Sequence, residues 1–368
     1  MLDTIILTIP HGQYKIIDHN RFHPSTENLL KPGFYFTKFV NNPTTADKLK
    51  ENYLPRLTVE KRPTKNGIII PLKIEFSAPK LIFGNNLEEL EDKNFEDVIN
   101  ALSKKLTLMG VLIPPSTLTN GSVSGFHPSK NIILTKGYTA TGLIKELAKV
   151  NLTKKLDLTK TTFRNDGHSL QLYSASHSVV AYDKVSDLTK SESRAIDKDQ
   201  TANQLSLFNW IQEQKRSTEI LRLEIRLSKK VKLNSVLVNL GHSKNPTFQQ
   251  IFNQKLCQKI LKSYWKEYFE PNQFIFDMVS NPLSILKSIT KNPKIKAKEA
   301  IYLTGLKLLA KDEGIRPIRQ VIERRNGIRA WQRVSEGLNK LNQIKQPLTG
   351  SHIKDIVDSL EKFETYRF

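Results

Sequence analysis

Cysteine is almost missing from this chain. Among 368 residues there is one, Cys257, which excludes an internal disulfide and any metal site built from several thiolates. It lies in an apolar-periodic stretch and reads as packing. Long hydrophobic runs are missing too: none approaches the ~20 apolar residues that span a bilayer. The start, Met1 to Pro10, has no basic residue ahead of its short apolar run and does not read as a signal peptide. A cytoplasmic protein with no membrane partner is the expectation. The phosphate-loop pattern G-x-x-x-x-G-K-[ST] and the dinucleotide pattern G-x-G-x-x-G are both missing, which argues against an engine driven by nucleotide hydrolysis. Neither H-E-x-x-H nor C-x-x-C occurs, so nothing supports zinc. There is no internal repeat and no low-complexity segment.

Acidic residues are the other shortage. The 36 Asp and Glu face 57 Lys and Arg, leaving a net charge of +21. Hydrophobic residues at 38% and charged residues at 25% are the values of an ordinary folded chain, so the excess is not that of a disordered basic tail. The length allows two or three domains. Such an excess points to a polyanionic partner. DNA or RNA fits better than a membrane surface, because no long amphipathic basic helix dominates. RNA is the weaker of the two, since aromatic residues are not interleaved with the basic runs. Nearly half of the excess sits in residues 287–345, with fifteen Lys and Arg against five Asp and Glu.

Alternation and helical spacing divide the chain in two. Strand patterns occur at residues 3–9, 54–61, 68–76 and 122–135, the last broken by Pro128. Ser169–Tyr173 and Ser178–Tyr182 flank a small polar connection and read as a hairpin. Residues 219–228 alternate almost without fault: Leu221, Leu223, Ile225 and Leu227 one way, Arg222, Glu224, Arg226 and Ser228 the other. Helices are predicted at 94–109, 139–150 and 192–214. Beyond residue 230 strand patterns stop. Thr247 to Gln250 has the form of a capping box opening a helix that runs to about residue 268. Further helices are predicted at 297–311, 316–325 and 329–342. The last two are joined at Asn326-Gly327-Ile328, making 316–342 a helix-turn-helix-like segment. The predicted fold class is α+β: an antiparallel sheet with helices over residues 1–232, then an all-α basic domain over 233–368.

The polar residues left on strands are Glu75, His127, His168, His177, Tyr182, Lys184 and Glu224. Tyr182 and Lys184 share a strand face with Val180, so a phenol and an ammonium can meet one phosphate. Equally, Tyr182 is an ordinary strand tyrosine and Lys184 a solvated charge. As a set, these types suit transesterification at a phosphodiester. A phenol attacks phosphorus, becomes joined to the 5′ phosphate and frees a 3′ hydroxyl. With an ordinary pKa near 10, the phenol needs a cation beside it. A divalent ion held by carboxylate and imidazole would serve, and Glu224, His127 and Glu75 are the candidate ligands for Mg2+ or Mn2+. Lys184 would hold the phosphate, and His177 joins the catalytic candidates. Each residue also has a plainer explanation: turn or solvent-facing histidines at 127, 168 and 177, and exposed cross-strand ion pairs at Glu75 and Glu224.

Three stretches, Lys73 to Asn86, His177 to Lys184 and Ile220 to Lys229, resemble in their order and rough spacing the replication initiators of filamentous phages. That family nicks one strand to start rolling-circle replication. Gly167 to Lys184 is also similar to the Tyr-Asp-Lys hairpin of initiators from Gram-positive rolling-circle plasmids, where a Glu-bearing strand follows. The likeness covers about residues 50–230. It implies a nicking and joining domain related to the HUH endonucleases, with Tyr182 as nucleophile and a divalent metal near Glu224. The phage relatives carry an acidic residue near the place of His127, and no His-hydrophobic-His triad occurs, so a two-histidine metal site is not implied. Tyr173, on the partner strand, is the rival nucleophile. The resemblance thus implies a metal-dependent, site-specific DNA endonuclease and ligase. Its partners would be duplex and single-stranded origin DNA, a host helicase and a host polymerase, and it would act as monomer or dimer. Arg316, Arg319, Arg324, Arg325, Arg329, Arg333 and Lys340 would contact the duplex, with Arg329 and Arg333 as base readers. The competing expectation is a non-catalytic, sequence-specific DNA-binding initiator or repressor.

Overall fold

The computed structural model describes residues 1–31, 37–49, 53–65, 67–135, 137–150, 157–164, 168–188, 219–277, 281–344 and 353–367. The helix predicted at 192–214 lies outside them. Nine strands form one antiparallel sheet: β1 (Leu2–Ile9), β2 (Lys38–Asn41), β3 (Arg56–Glu60), β4 (Leu72–Ser77), β5 (Ser122–Leu134), β6 (Asp157–Arg164), β7 (Ser169–Tyr173), β8 (Ser178–Asp183) and β9 (Glu219–Arg226). Their spatial order is β6-β7-β8-β9-β5-β1-β4-β3-β2. The fold is therefore α+β with a large antiparallel sheet, as the alternating patterns imply.

Cross-strand register divides the sheet into two unlike faces. Ile5 pairs with Phe76 and Phe126, Ala181 with Leu223, and Leu223 with Lys130. This face carries Leu57, Val59, Leu72, Ile74, Leu170, Leu172, Val179, Leu221 and Ile225, each at most 2% exposed. Burying such side chains contributes about 1.5–3 kcal/mol each before entropy is counted. On the opposite face, Tyr182 pairs with Arg222, Val180 with Glu224, Arg222 with Asn131 and Glu224 with Ser129.

Helices α1 (Ala78–Phe83), α2 (Phe95–Leu108), α3 (Ala140–Ala148), α4 (Lys184–Leu188), α5 (Lys230–Asn239), α6 (Gln254–Tyr268), α7 (Pro282–Thr290), α8 (Ala297–Asp312), α9 (Ile315–Gln343) and α10 (Lys354–Lys362) surround the sheet. In α2, Phe95, Val98, Ile99, Leu102 and Leu106 are buried at helical spacing. The capping box forms: Thr247 and Gln250 exchange side chain to backbone bonds of 3.3 and 3.0 Å. The helix it opens stops at Ile251, because Phe252 turns to φ −75°, ψ 68° and Asn253 caps α6 by accepting from the Leu256 N–H. Two helices stand where the periodicity predicts one.

Two other expectations change. Pro128 does not break β5, which runs unbroken through thirteen residues. Proline lacks an N–H, and here it faces Leu2 where the register with β1 shifts, so no ladder bond is lost. The pattern at 68–76 splits into a short ribbon, Arg62–Thr64 with Gly67–Ile69, and β4, the break falling at Pro71. Packing also continues across residue 232. Helix α6 lies on β5 and β9, α10 lies on β5, and one buried cluster runs from Met1 to Phe363.

The basic helices join this core through Glu270–Phe276, whose Phe274, Ile275 and Phe276 are buried. Helix α9 is two helices meeting at Gly327, where φ is 78° and ψ 175°. The Arg319 guanidinium sits 5.7 Å from the Trp331 ring centre. Twelve residues of straight helix would hold them about 18 Å apart, so the chain folds back sharply at Gly327. The turn within residues 316–342 is made on this single glycine. No described helix is long and apolar enough to cross a membrane.

Candidate active site on the polar face

The polar face is buried at its centre. Arg222 is 1% exposed, Glu224 2%, and Tyr182 stands partly exposed beside them. β8 and β9 place Tyr182 and Arg222 side by side, and the Arg222 Nη1–H donates to Tyr182 Oη at 3.4 Å. Asp3, from β1, lies 3.9 Å from the same nitrogen and accepts from the Ser77 hydroxyl at 2.9 Å. Neighbouring Glu224 Oε1 accepts from Arg226 Nε at 2.8 Å and lies 3.5 Å from His127 Nδ1. Tyr182, Arg222 and Asp3 thus form one group, and Glu224, Arg226 and His127 a second one two residues along β9.

Burial raises the Tyr182 phenol well above its usual range. Arg222 opposes that shift, while Glu224, Asp187 and Asp3 add to it. Burial also acts to raise Glu224, but Arg226 and His127 outweigh it and hold the carboxyl well below the ordinary range. Lys184 is wholly buried. Burial, aided by Arg222, brings its ammonium down to about 7, with Asp187 and Asp3 opposing. Its Nζ donates to Asn86 Oδ1 at 2.6 Å, lies 3.5 Å from Asp187 and sits 5.8 Å from the Tyr182 ring centre. Lys184 opens α4 instead of extending the strand.

The other predicted residues are placed apart. His177 points to the apolar face, where its ring bonds Ser174 Oγ at 2.6 Å and Tyr268 Oη at 3.2 Å. Odd-numbered positions of this strand face the core and even-numbered ones face Tyr182, so His177 is a packing residue. His168 pairs with Asp183 at 3.0 Å, also away from the phenol. Tyr173 shares the polar face, but four residues along the hairpin put it about 13 Å from Tyr182. Glu75 is exposed opposite Arg56 and Ile6. From Glu224 it is about 14 Å across the sheet and about 13 Å along it.

A divalent ion would find His127 and Glu224 here, but not Glu75. No group of three or more His, Cys, Asp or Glu side chains suited to a metal occurs among the described residues. Arg226 already occupies the Glu224 oxygen that faces His127. As arranged, the described donors do not fit such an ion.

No family model matches the chain, and neither curated proteins nor solved structures gave a significant match. The chemistry open to this site is set by its own groups. Sequence reasoning passed over two of them, Arg222 and Asp3. Arg222 had a signal, an arginine on a strand beside a hairpin tyrosine, but only register shows that the two side chains meet. In the basic helices, Arg324, Arg325, Arg329 and Arg333 are exposed around the Gly327 corner. Arg319 is tied to Glu323 and Trp331, and Lys340 to Glu299. Arg316 is partly buried.

Proposed function

We propose that this chain nicks and rejoins one DNA strand, with Tyr182 as the nucleophile, as an initiator of rolling-circle replication of the HUH-like type. One observation carries the reading. The tyrosine picked out by its hairpin meets a buried arginine, with a carboxylate–imidazole pair two residues along the neighbouring strand. Buried ionic groups in that arrangement are costly for stability alone and suit charge developing at phosphorus. The phenol oxygen attacks phosphorus and the 3′ oxygen leaves. The resulting phosphotyrosine keeps the bond energy for rejoining. Arg324, Arg325, Arg329 and Arg333 hold duplex origin DNA through its phosphates. A host polymerase would extend the free 3′ hydroxyl and a host helicase would open the duplex.

A second reading, a non-catalytic DNA-binding initiator or repressor, draws on the buried phenol's resistance to ionisation. The test incubates the protein with supercoiled plasmid carrying the DNA that flanks its coding sequence, with Mg2+, with Mn2+ and with chelator. Covalent adducts are scored on denaturing gels. Tyr182→Phe is expected to abolish the adduct and Tyr173→Phe to retain it. No adduct with the unaltered protein would leave the binding reading, and an adduct with Tyr182→Phe would move the nucleophile elsewhere.

A further inference from the structure

We propose that Arg222 is the catalytic cation of this strand transfer, and that its Nε–H and the Ser129 hydroxyl seat a non-bridging oxygen of the scissile phosphodiester. This rests on Tyr182 being the nucleophile and adds to it a phosphate subsite. Arg222 lies directly across from Tyr182 on one side and Asn131 on the other, with Ser129 diagonal to it on the same face. The guanidinium is oriented by its Nη1 edge, which donates to Tyr182 Oη at 3.4 Å and faces Asp3 at 3.9 Å.

The decisive feature is what remains unused. Arg222 Nε and Ser129 Oγ are buried without any hydrogen-bond partner, each on a residue 1% exposed. Buried donors are rarely left so, and two on adjoining positions of one face mark the place of an absent acceptor. That acceptor takes two hydrogen bonds and sits against a guanidinium, which is how arginine receives a phosphate oxygen. A third unpartnered atom nearby, Asn131 Oδ1, is itself an acceptor. Asn131 lines a cavity of about 460 Å³ beneath α10, roomy enough for water, and takes no part.

In the reaction, the Tyr182 Oη–P bond forms and the P–O3′ bond breaks, its electron pair leaving on O3′. The phenol proton passes through solvent to O3′, and phosphorus remains a singly charged diester. Arg222 lies beside both places where negative charge gathers, the attacking phenolate oxygen and the phosphoryl oxygens. Lys184, bonded to Asn86, serves neither.

The test uses the full chain and 3′-labelled single-stranded oligonucleotides of randomised sequence, read as adducts on denaturing gels. If the unaltered protein takes up no label, the Tyr182 reading falls and this proposal with it. Where it labels through Tyr182, Arg222→Ala is expected to slow labelling about 100- to 1000-fold and to recover in part when methylguanidinium is added. Arg222→Lys should label slowly with its optimum displaced to lower pH, because a buried ammonium gives up its proton where a guanidinium does not. Ser129→Ala should lose about tenfold with an unchanged melting temperature. A merely structural arginine would lower the melting temperature without moving the pH optimum or responding to guanidinium. Normal rates and a normal pH optimum in both Arg222→Lys and Ser129→Ala overturn the proposal and leave Tyr182 standing.

Discussion

One methyl group at Gly327 should loosen the corner that carries the exposed arginines. Its φ of 78° and ψ of 175° belong to a region that only glycine enters freely, and a residue with a side chain is strained there by about 1–3 kcal/mol. A Cβ at this place would meet no atom within 4 Å, so the penalty of Gly327→Ala is torsional, with no clash added. The straight alternative gains at the same time, because alanine favours a continuous helix over glycine by about 0.5–1 kcal/mol. The two effects add, narrowing the gap between bent and straight forms by about 1.5–4 kcal/mol. Straightening would carry Arg319 away from Trp331 and expose a ring now 6% exposed. Burial of Trp331, Leu338 and Leu341 resists this, at about 1.5–3 kcal/mol per side chain. The variant should therefore stay bent but unfold more easily in this region. Tryptophan emission followed in urea, with Trp331→Phe as control, should show an earlier transition in Gly327→Ala, and duplex binding should weaken. A variant as resistant to urea as the parent, or more so, would refute the claim that strain is stored at this corner.

Two further outcomes follow from particular side chains. Replacing Arg324, Arg325, Arg329 and Arg333 by alanine should weaken duplex binding and flatten its dependence on salt. Each lost phosphate contact takes roughly 0.9 from the slope of log K against log salt, and an unchanged slope would remove these residues from the interface. His177 should give the fold an acid-sensitive limb, because burial, aided by Lys232, depresses its ring to about 4. The unfolded chain takes up this proton from about 6.5 downward and the folded chain only near 4, so stability falls as pH drops through that window. Urea midpoints measured from pH 7 to pH 4 should fall less steeply in His177→Gln, and an equal slope would refute the assignment.

The strands were legible in the sequence wherever one face is core. Leu221, Leu223, Ile225 and Leu227 are all at most 2% exposed, and nothing but a strand places four such residues two apart. What alternation cannot tell is that the other face is buried too. An outward Arg222 and Glu224 look the same in sequence whether they meet water or a second layer. The same limit hid His177. Its closeness to Tyr182 in sequence suggested a shared site, but five positions along a strand is an odd number, and odd separations put side chains on opposite faces. Pro128 failed for a different reason. The rule that proline ends a strand assumes a lost ladder bond, and a register shift at Leu2 removes the bond before proline can.

Burial has opposite consequences for the two partners at the centre of this sheet, and the proposed chemistry rests on their difference. Desolvation makes the Tyr182 phenol harder to ionise, which by itself would produce an inert tyrosine. The same low-dielectric surroundings strengthen every interaction the Arg222 guanidinium makes, and against the effect of burial Tyr182, Asp3 and Glu224 raise it and keep it charged. An exposed tyrosine beside an exposed arginine would ionise more readily but gain little from the pairing, since water screens both. On the proposed reading, the desolvated phenol resists ionisation until an electrophile arrives, and Arg222 then stabilises the charge as it moves from phenol oxygen to phosphate. On that account the high-lying phenol does not count against Tyr182 as nucleophile. It predicts that alkylation of Tyr182 in the free protein is slow at neutral pH, whereas attack on a phosphodiester seated against Arg222 is not.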